Sequence, residues 1–226
     1  MINYSAIILA AGTGSRMGLG YNKMLHLVHQ KPVVAHTVQP FLQDPRCSQL
    51  ILVVNQAELA VMQSIFPNEH LQFVIGGSKR QESVYQGLQQ VKEKIVLIHD
   101  GARPFVNQRM IEDCYMWATS GVAAVVGVPV KDTIKRVSKE RMVLETLERH
   151  ELFSIQTPQA ATTATLKLAH EKARAENFIG TDDVSLIERY TKVNVRIVEG
   201  AYTNIKLTTP EDLVMAAELL KGVEKQ

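Results

Sequence analysis

The sequence predicts an α/β fold in which a mostly parallel sheet is flanked by helices and a β-arm protrudes from it. Apolar runs of strand length, rich in Ile and Val, recur along the 226 residues. They scarcely alternate, which suits strands covered on both faces. Amphipathic stretches lie between them and supply the crossovers that parallel strands require. Together these describe a Rossmann-like architecture. A composition of 46% hydrophobic and 21% charged residues is that of a globular chain. With no repeat, low-complexity tract or Pro/Gly-rich linker, residues 1–226 read as a single domain.

Taken in order, the first strand is Ala6 to Ala10, running into a loop of small residues, and the first helix is Val33 to Gln43. Strands follow at Leu50 to Val54 and Gln72 to Ile75, then a helix from Arg80 to Gln90, a strand Ile95 to His99, a helix Arg109 to Thr119 with Trp117 as a core residue, and a strand Ala123 to Val130. From Lys131 to Glu151 charged residues alternate with Ile134, Val137, Val143 and Leu147 and no core-length run appears, the pattern of an exposed hairpin. Helices Thr162 to Ala175 and Asp183 to Tyr190, a strand Val195 to Val198 and a helix Pro210 to Lys221 complete the chain. The last helix has Thr209 as N-cap, Pro210 in its first position and Glu211 and Asp212 beside the helix dipole.

A net charge of +2 is too small for a general nucleic-acid or membrane binder, so any phosphate must be met locally. Cys47 and Cys114 show no CxxC spacing, which excludes a disulfide framework or zinc site as an expectation and points to a reducing compartment. The N-terminus lacks a basic leader, and the run from Ala6 is broken at Gly12, short of a membrane span. The expected location is the cytoplasm.

The chemistry concentrates after the strands. Leu9-Ala10-Ala11-Gly12-Thr13-Gly14-Ser15-Arg16-Met17-Gly18 lets backbone amides approach a phosphate unobstructed. It is neither a dinucleotide fingerprint, because Met17 stands where glycine is needed, nor a Walker loop, because Leu19 follows Gly18. Arg16 within the loop and Lys23 beyond it suit a triphosphate. Asp100, in His99-Asp100-Gly101-Ala102-Arg103-Pro104, ends a central strand where open sheets bind ligands. It is either a Mg2+ ligand or a loop cap paired to Arg103.

These stretches, with Gly76-Gly77-x-x-Arg80-x-x-Ser83-Val84, Asp132-Thr133-Ile134-Lys135, Gln156-Thr157-Pro158-Gln159, Thr181-Asp182-Asp183 and Asn204-Ile205-Lys206, resemble the 2-C-methyl-D-erythritol 4-phosphate cytidylyltransferases of the non-mevalonate isoprenoid pathway. The resemblance covers nearly the whole chain. It implies transfer of CMP from CTP to methylerythritol phosphate, with Mg2+ and release of pyrophosphate. By matching position, Arg16, Lys23 and Lys206 are catalytic, and Ala10, Ala11, Gly12, Gly14, Gly76, Gly77, Ser83 and Ala102 bind the nucleotide. Asp100, which also holds the metal, joins Arg149, Thr157, Thr181, Asp182 and Lys206 in binding substrate. Thr181 is in addition the expected N-cap of the following helix. Members of the family place a β-arm in the neighbouring subunit's site, which implies a homodimer with Arg149 and Thr157 across the interface.

Two departures stand out: Asn22-Lys23-Met24 where the family usually reads Pro-Lys-Gln, which bears on the loop's shape, and Gly101-Ala102 in place of a double alanine. The rival readings are a ribitol-5-phosphate cytidylyltransferase, a catalytically silent nucleotide-binding regulator and an NAD-dependent dehydrogenase. Ala102 weighs against the first, the joint presence of Arg16, Lys23 and Asp100 against the second, and Met17 against the third.

Overall fold

The computed structural model describes residues 2–12, 20–67 and 70–223. In chain order the elements are β1 (Tyr4–Leu9), a two-residue pair β2 (Leu27–Val28) and β3 (Lys31–Pro32), α1 (Val33–Leu42), β4 (Cys47–Val54), α2 (Leu59–Ile65), β5 (Leu71–Ile75), α3 (Arg80–Gln90), β6 (Ile95–Asp100), α4 (Gln108–Thr119) and β7 (Ala123–Pro129). The arm strands β8 (Lys135–Val137) and β9 (Val143–Thr146) come next, followed by β10 (Phe153–Thr162), α5 (Thr163–Ala175), α6 (Asp183–Tyr190), β11 (Val195–Glu199) and α7 (Pro210–Val223).

Seven strands form one sheet in the order β11-β7-β10-β6-β1-β4-β5. All neighbours are parallel except β10, which runs antiparallel to both β6 and β7. The unbroken apolar runs are explained by burial on both faces. Ala6, Ile8, Leu52, Val54 and Leu97 turn to one face, with Val34, Val38 and Phe41 of α1 and Met110, Ile111 and Cys114 of α4. Ile7, Ile51, Val53, Val96 and Ile98 turn to the other, with Val84 and Leu88 of α3, Leu166 and Ala169 of α5, and Leu186 and Ile187 of α6. Helix α3 lies so close to β1 that a Cβ at Gly87 would fall 2.9 Å from Cγ2 of Ile7.

Several expectations are corrected. Strand β10 falls in a stretch with no apolar run, and α2 was unmarked. Trp117 is 39% exposed with the Arg196 guanidinium 5.2 Å from its ring centroid, so it covers the surface of α4 instead of entering the core. The N-cap of α6 is Asp182, not Thr181: its side chain accepts from the Ser185 amide and the Ser185 hydroxyl reciprocates in a capping box. Gly14 and Arg16 fall outside the described residues.

Candidate active site

Leu9 at the end of β1 is in register with Asp100 at the end of β6, so the chain segments that leave both strands run side by side. The Gly101 amide donates to the Leu9 carbonyl at 2.9 Å, and Leu207 anchors the far wall through its amide to the Ala102 carbonyl at 2.8 Å. Between them opens a cavity of about 300 Å³ lined by Ala10, Ala11, Gly12, Lys23, Gly77, Arg80, Ser83, Asp100, Ala102 and Lys206. Gly76 lies just behind it, where a Cβ would fall 2.6 Å from the Ala11 Cβ and 2.7 Å from the Ser83 hydroxyl. Ser83 in turn accepts from the Gly77 amide at 3.1 Å, so the glycine turn is held against the first turns of α3.

A second cavity of about 320 Å³ adjoins the first, lined by Arg80, Asp100, Arg103, Ile155, Gln156, Thr157, Gln159, Thr181, Asp182 and Lys206. The two share Arg80, Asp100 and Lys206. The cleft is therefore a pair of compartments with a charged common wall. Arg149 is not among the residues lining either; it sits on the exposed arm and donates to the Lys131 carbonyl at 3.0 Å. Thr157, expected across a dimer interface, is buried on β10 and lines the second cavity of its own chain.

The wall is built on Asp100. Lys206 Nζ approaches one carboxylate oxygen at 2.7 Å, Arg80 Nε the other at 3.1 Å, and Arg103 Nε stands at 3.9 Å. The expected pairing with Arg103 is present, but it is the longest of the three, and Arg80 and Lys206 hold the acid more closely. Burial alone would raise the Asp100 pKa, but Arg80 and Lys206 outweigh it and hold the carboxyl well below the usual range. Arg80 continues through its Nη2 to Asp183 at 2.8 Å, and Asp183 lies 3.2 Å from Nε2 of the fully buried His170. Arg80 thereby links the glycine-turn side of the cleft to the start of α6.

Behind the wall, the Thr157 hydroxyl accepts from the Asp100 amide at 3.0 Å and so presents its hydrogen to His99 Nδ1 at 2.8 Å. Nε2 of His99 is left to donate to the Arg103 carbonyl at 3.1 Å. Burial pushes His99 down to about 4, so at pH 7 it is the neutral ring that this chain of bonds requires. Gln159 accepts from the Asp183 and Val184 amides and donates to Asp182, which fixes the first turn of α6 at the second cavity. Asn204 ties the Lys206 loop to β10 by donating to Gln156 Oε1 and the Thr157 carbonyl.

Sequence reasoning gave Arg80, Gln156, Gln159 and Arg103 no site role. Arg80 and Arg103 already stood within the motifs, and a buried run of Gln, Thr and Gln in a strand is itself a sign of polar groups serving a site. Ligands of open α/β sheets bind at such strand ends, and cations gathered about one acid suit the charge of phosphate groups, which places the cleft in the class of α/β phosphate-ligand sites.

The comparisons narrow the class. The profile of the family IspD, 2-C-methyl-D-erythritol 4-phosphate cytidylyltransferase, matches residues 4–222. The chain belongs to this family. It is 46% identical over 222 residues to the 2-C-methyl-D-erythritol 4-phosphate cytidylyltransferase of Bacillus cytotoxicus, covering 96% of this chain and 97% of that one. It is 45% identical over 230 residues to the same-named protein of Halalkalibacterium halodurans, with both chains fully covered. Among solved structures it superposes on the 4-diphosphocytidyl-2C-methyl-D-erythritol synthase of Anaerococcus prevotii with a TM-score of 0.88 at 29% identity, covering 97% of this chain and 99% of that one. For the 2-C-methyl-D-erythritol 4-phosphate cytidylyltransferase of Thermus thermophilus the TM-score is 0.79 at 29% identity, covering 97% of this chain and 100% of that one.

Proposed function

We propose that the cavity at the glycine turns takes CTP, that the adjoining cavity takes 2-C-methyl-D-erythritol 4-phosphate, and that CMP passes between them at the wall of Arg80, Asp100 and Lys206. The observation that carries this reading is the sharing of those three residues by both cavities. An oxygen of the methylerythritol phosphate forms a bond to the α-phosphorus of CTP. The bond from that phosphorus to the bridging oxygen breaks, and pyrophosphate leaves with the electron pair. A phosphate monoester is already an anionic nucleophile at neutral pH, so the task is to bring two anions together and neutralise the charge that develops.

Lys23 reaches into the nucleotide cavity from the turn after the loop, where it also donates to the Leu207 carbonyl. With Arg16, whose assignment rests on its motif, it suits the triphosphate. The backbone of Ala10, Ala11 and Gly12, the Gly76-Gly77 turn, Ser83 and Ala102 suit the nucleoside, and Gly14 joins them on its motif alone. Arg80, Lys206, Thr157, Thr181 and Asp182 face the acceptor.

Asp100 fits Mg2+ in one manner. It is the single carboxylate lining both cavities, and each of its oxygens keeps a lone pair beyond the Arg80 and Lys206 contacts. Among the described residues no three His, Cys, Asp or Glu side chains gather as a metal site. The ion would accordingly take its other ligands from phosphate and water, as Mg2+ at nucleotides commonly does. When bound it would neutralise phosphate charge and favour departure of pyrophosphate.

The arm supports a homodimer. Strands β8 and β9 are exposed along their whole length, Met142 between them is 68% exposed, and a two-stranded hairpin is marginal alone in water. Packed against a twofold mate, it would carry Arg149 towards the mate's acceptor phosphate. The two free cysteines fit a cytoplasmic setting, and no described helix is long and apolar enough to cross a membrane.

The test is pyrophosphate release by the purified protein. It should require CTP, methylerythritol phosphate and Mg2+, with ribitol 5-phosphate as the control acceptor. Equal kcat/KM for the two acceptors, or release that persists in excess chelator, would overturn the corresponding part of the reading.

A further inference from the structure

We propose that Asn22 is a positioning residue for Lys23, acting as a three-way tether that sets where the lysine enters the nucleotide cavity. The inference rests on the reading of Lys23 as a triphosphate ligand. Asn22 is only 2% exposed, yet its side chain is fully engaged. Its Oδ1 accepts from the Met24 amide at 3.0 Å, which caps the single 3₁₀ turn Lys23–Leu25. One amide hydrogen goes to the Ala10 carbonyl at 3.2 Å, and the other to the Glu58 carboxylate at 2.6 Å. A single side chain therefore joins the lysine turn, the end of β1 where the glycine loop begins, and the turn after β4. The bond to Glu58 is charge-assisted, the stronger kind.

The backbone of Asn22 has φ −67° and ψ 124°. That φ is the one a proline ring imposes, and among the described residues no hydrogen bond uses the Asn22 backbone N–H as donor. Two devices can thus hold the same turn: a ring that restricts the backbone, or a side chain tied at three points. This chain uses the second, which makes the lysine's placement depend on Glu58.

The experiment measures CTP binding by calorimetry, with kcat and both KM values, for Lys23→Ala, Asn22→Ala, Asn22→Asp, Asn22→Pro and the double variant Asn22→Ala/Lys23→Ala. Loss of the tether should weaken CTP binding and kcat/KM for CTP about tenfold in Asn22→Ala, the size of effect a buried polar bond supports, and leave the acceptor KM unchanged. Asn22→Asp keeps the cap but has no amide hydrogens and sets like charge against Glu58, so it should be impaired at least as much. Asn22→Pro should recover most of what Asn22→Ala loses. In the Lys23→Ala background, Asn22→Ala should add no further loss.

Should Asn22→Ala fail to fold, Glu58→Gln replaces it. That variant should weaken CTP binding about threefold by removing the charge on one hydrogen bond, and do nothing when combined with Asn22→Pro. Additive losses in the double variant, a change confined to the acceptor KM, or an impaired Asn22→Pro with the fold intact would each overturn the tether. A Lys23→Ala protein that binds and turns over CTP normally would instead overturn the reading of Lys23 on which the tether rests.

Discussion

Replacing Arg80 by Met tests whether the shared wall is an electrostatic assembly or a set of incidental surface contacts. Arg80 reaches Asp100 at 3.1 Å and Asp183 at 2.8 Å, carboxylates with side chains 9% and 1% exposed. Removing one partner of a buried ion pair costs about 3–5 kcal/mol, because the remaining charge is left in a poor solvent. The lower end applies: Arg80 is itself 30% exposed, and Asp100 keeps Lys206 at 2.7 Å. A loss of about 3 kcal/mol in a chain of this size corresponds to a Tm lower by about 6–12 °C.

The pH dependence identifies the cause. In the native protein burial opposes ionisation of both acids, but Arg80 with Lys206 at Asp100, and Arg80 with His170 at Asp183, hold their pKa values below the usual carboxylate range. A lowered folded pKa contributes stability that is present above the unfolded value, near 4, and is lost as pH falls below it. Without Arg80 burial prevails, most strongly at Asp183, and protonation relieves the variant as pH falls. The gap between native and variant should therefore narrow from pH 7 to pH 4. His99, at about 4, titrates in both proteins and cancels in the difference. Denaturant titrations at pH 7, 5.5 and 4 measure the gap. A gap under 1 kcal/mol at pH 7, or one that stays constant on acidification, would refute the reasoning.

Lys23→Ala should lower kcat/KM by about a hundred- to a thousandfold, the effect of removing a positioned charge from a developing anion, and an unchanged value in a folded protein would remove Lys23 from the site. Asp100→Asn preserves shape but not charge, so its activity should fall and its apparent Mg2+ requirement rise in a metal titration. If Arg149 serves the mate's site, mixing Lys23→Ala with Arg149→Ala and allowing subunit exchange should return about a quarter of native activity, since half the dimers are mixed and each holds one intact site of two. Gly87→Ala should destabilise by about 1–3 kcal/mol in thermal melts through overpacking against Ile7, even though alanine favours a helix.

What was legible in the sequence was whatever depends on local pattern. The runs at Ala6, Leu50 and Ile95 read as strands because burial on both faces leaves no polar positions, and α3 and α6 begin and end at the residues their patterns marked. Strand β10 was not legible for the opposite reason. Its buried Gln156, Thr157 and Gln159 are kept inside by hydrogen bonds to Asn204, to Asp100 and His99, and to the start of α6, contacts that no apolar periodicity records. Pro158 further disguises the segment, since proline usually argues against a central strand; it falls where the register between β10 and β7 shifts.

The α6 cap shows a readable rule applied one residue early. A capping box needs a side chain at the third helical position that can bond back. Counted from Thr181 that position is Val184, which cannot, whereas from Asp182 it is Ser185, which does. The site divides in the same way. Asp100 was legible because a strand end is a local feature, and Lys23 because it follows the glycine loop. Arg80 was not, because its significance arises only when α3, β6 and α6 meet, bringing Asp100 to the Nε and Asp183 to the Nη2 of one guanidinium. Asp100 marks where the two cavities meet, and Arg80 ties that junction to the start of α6 through Asp183.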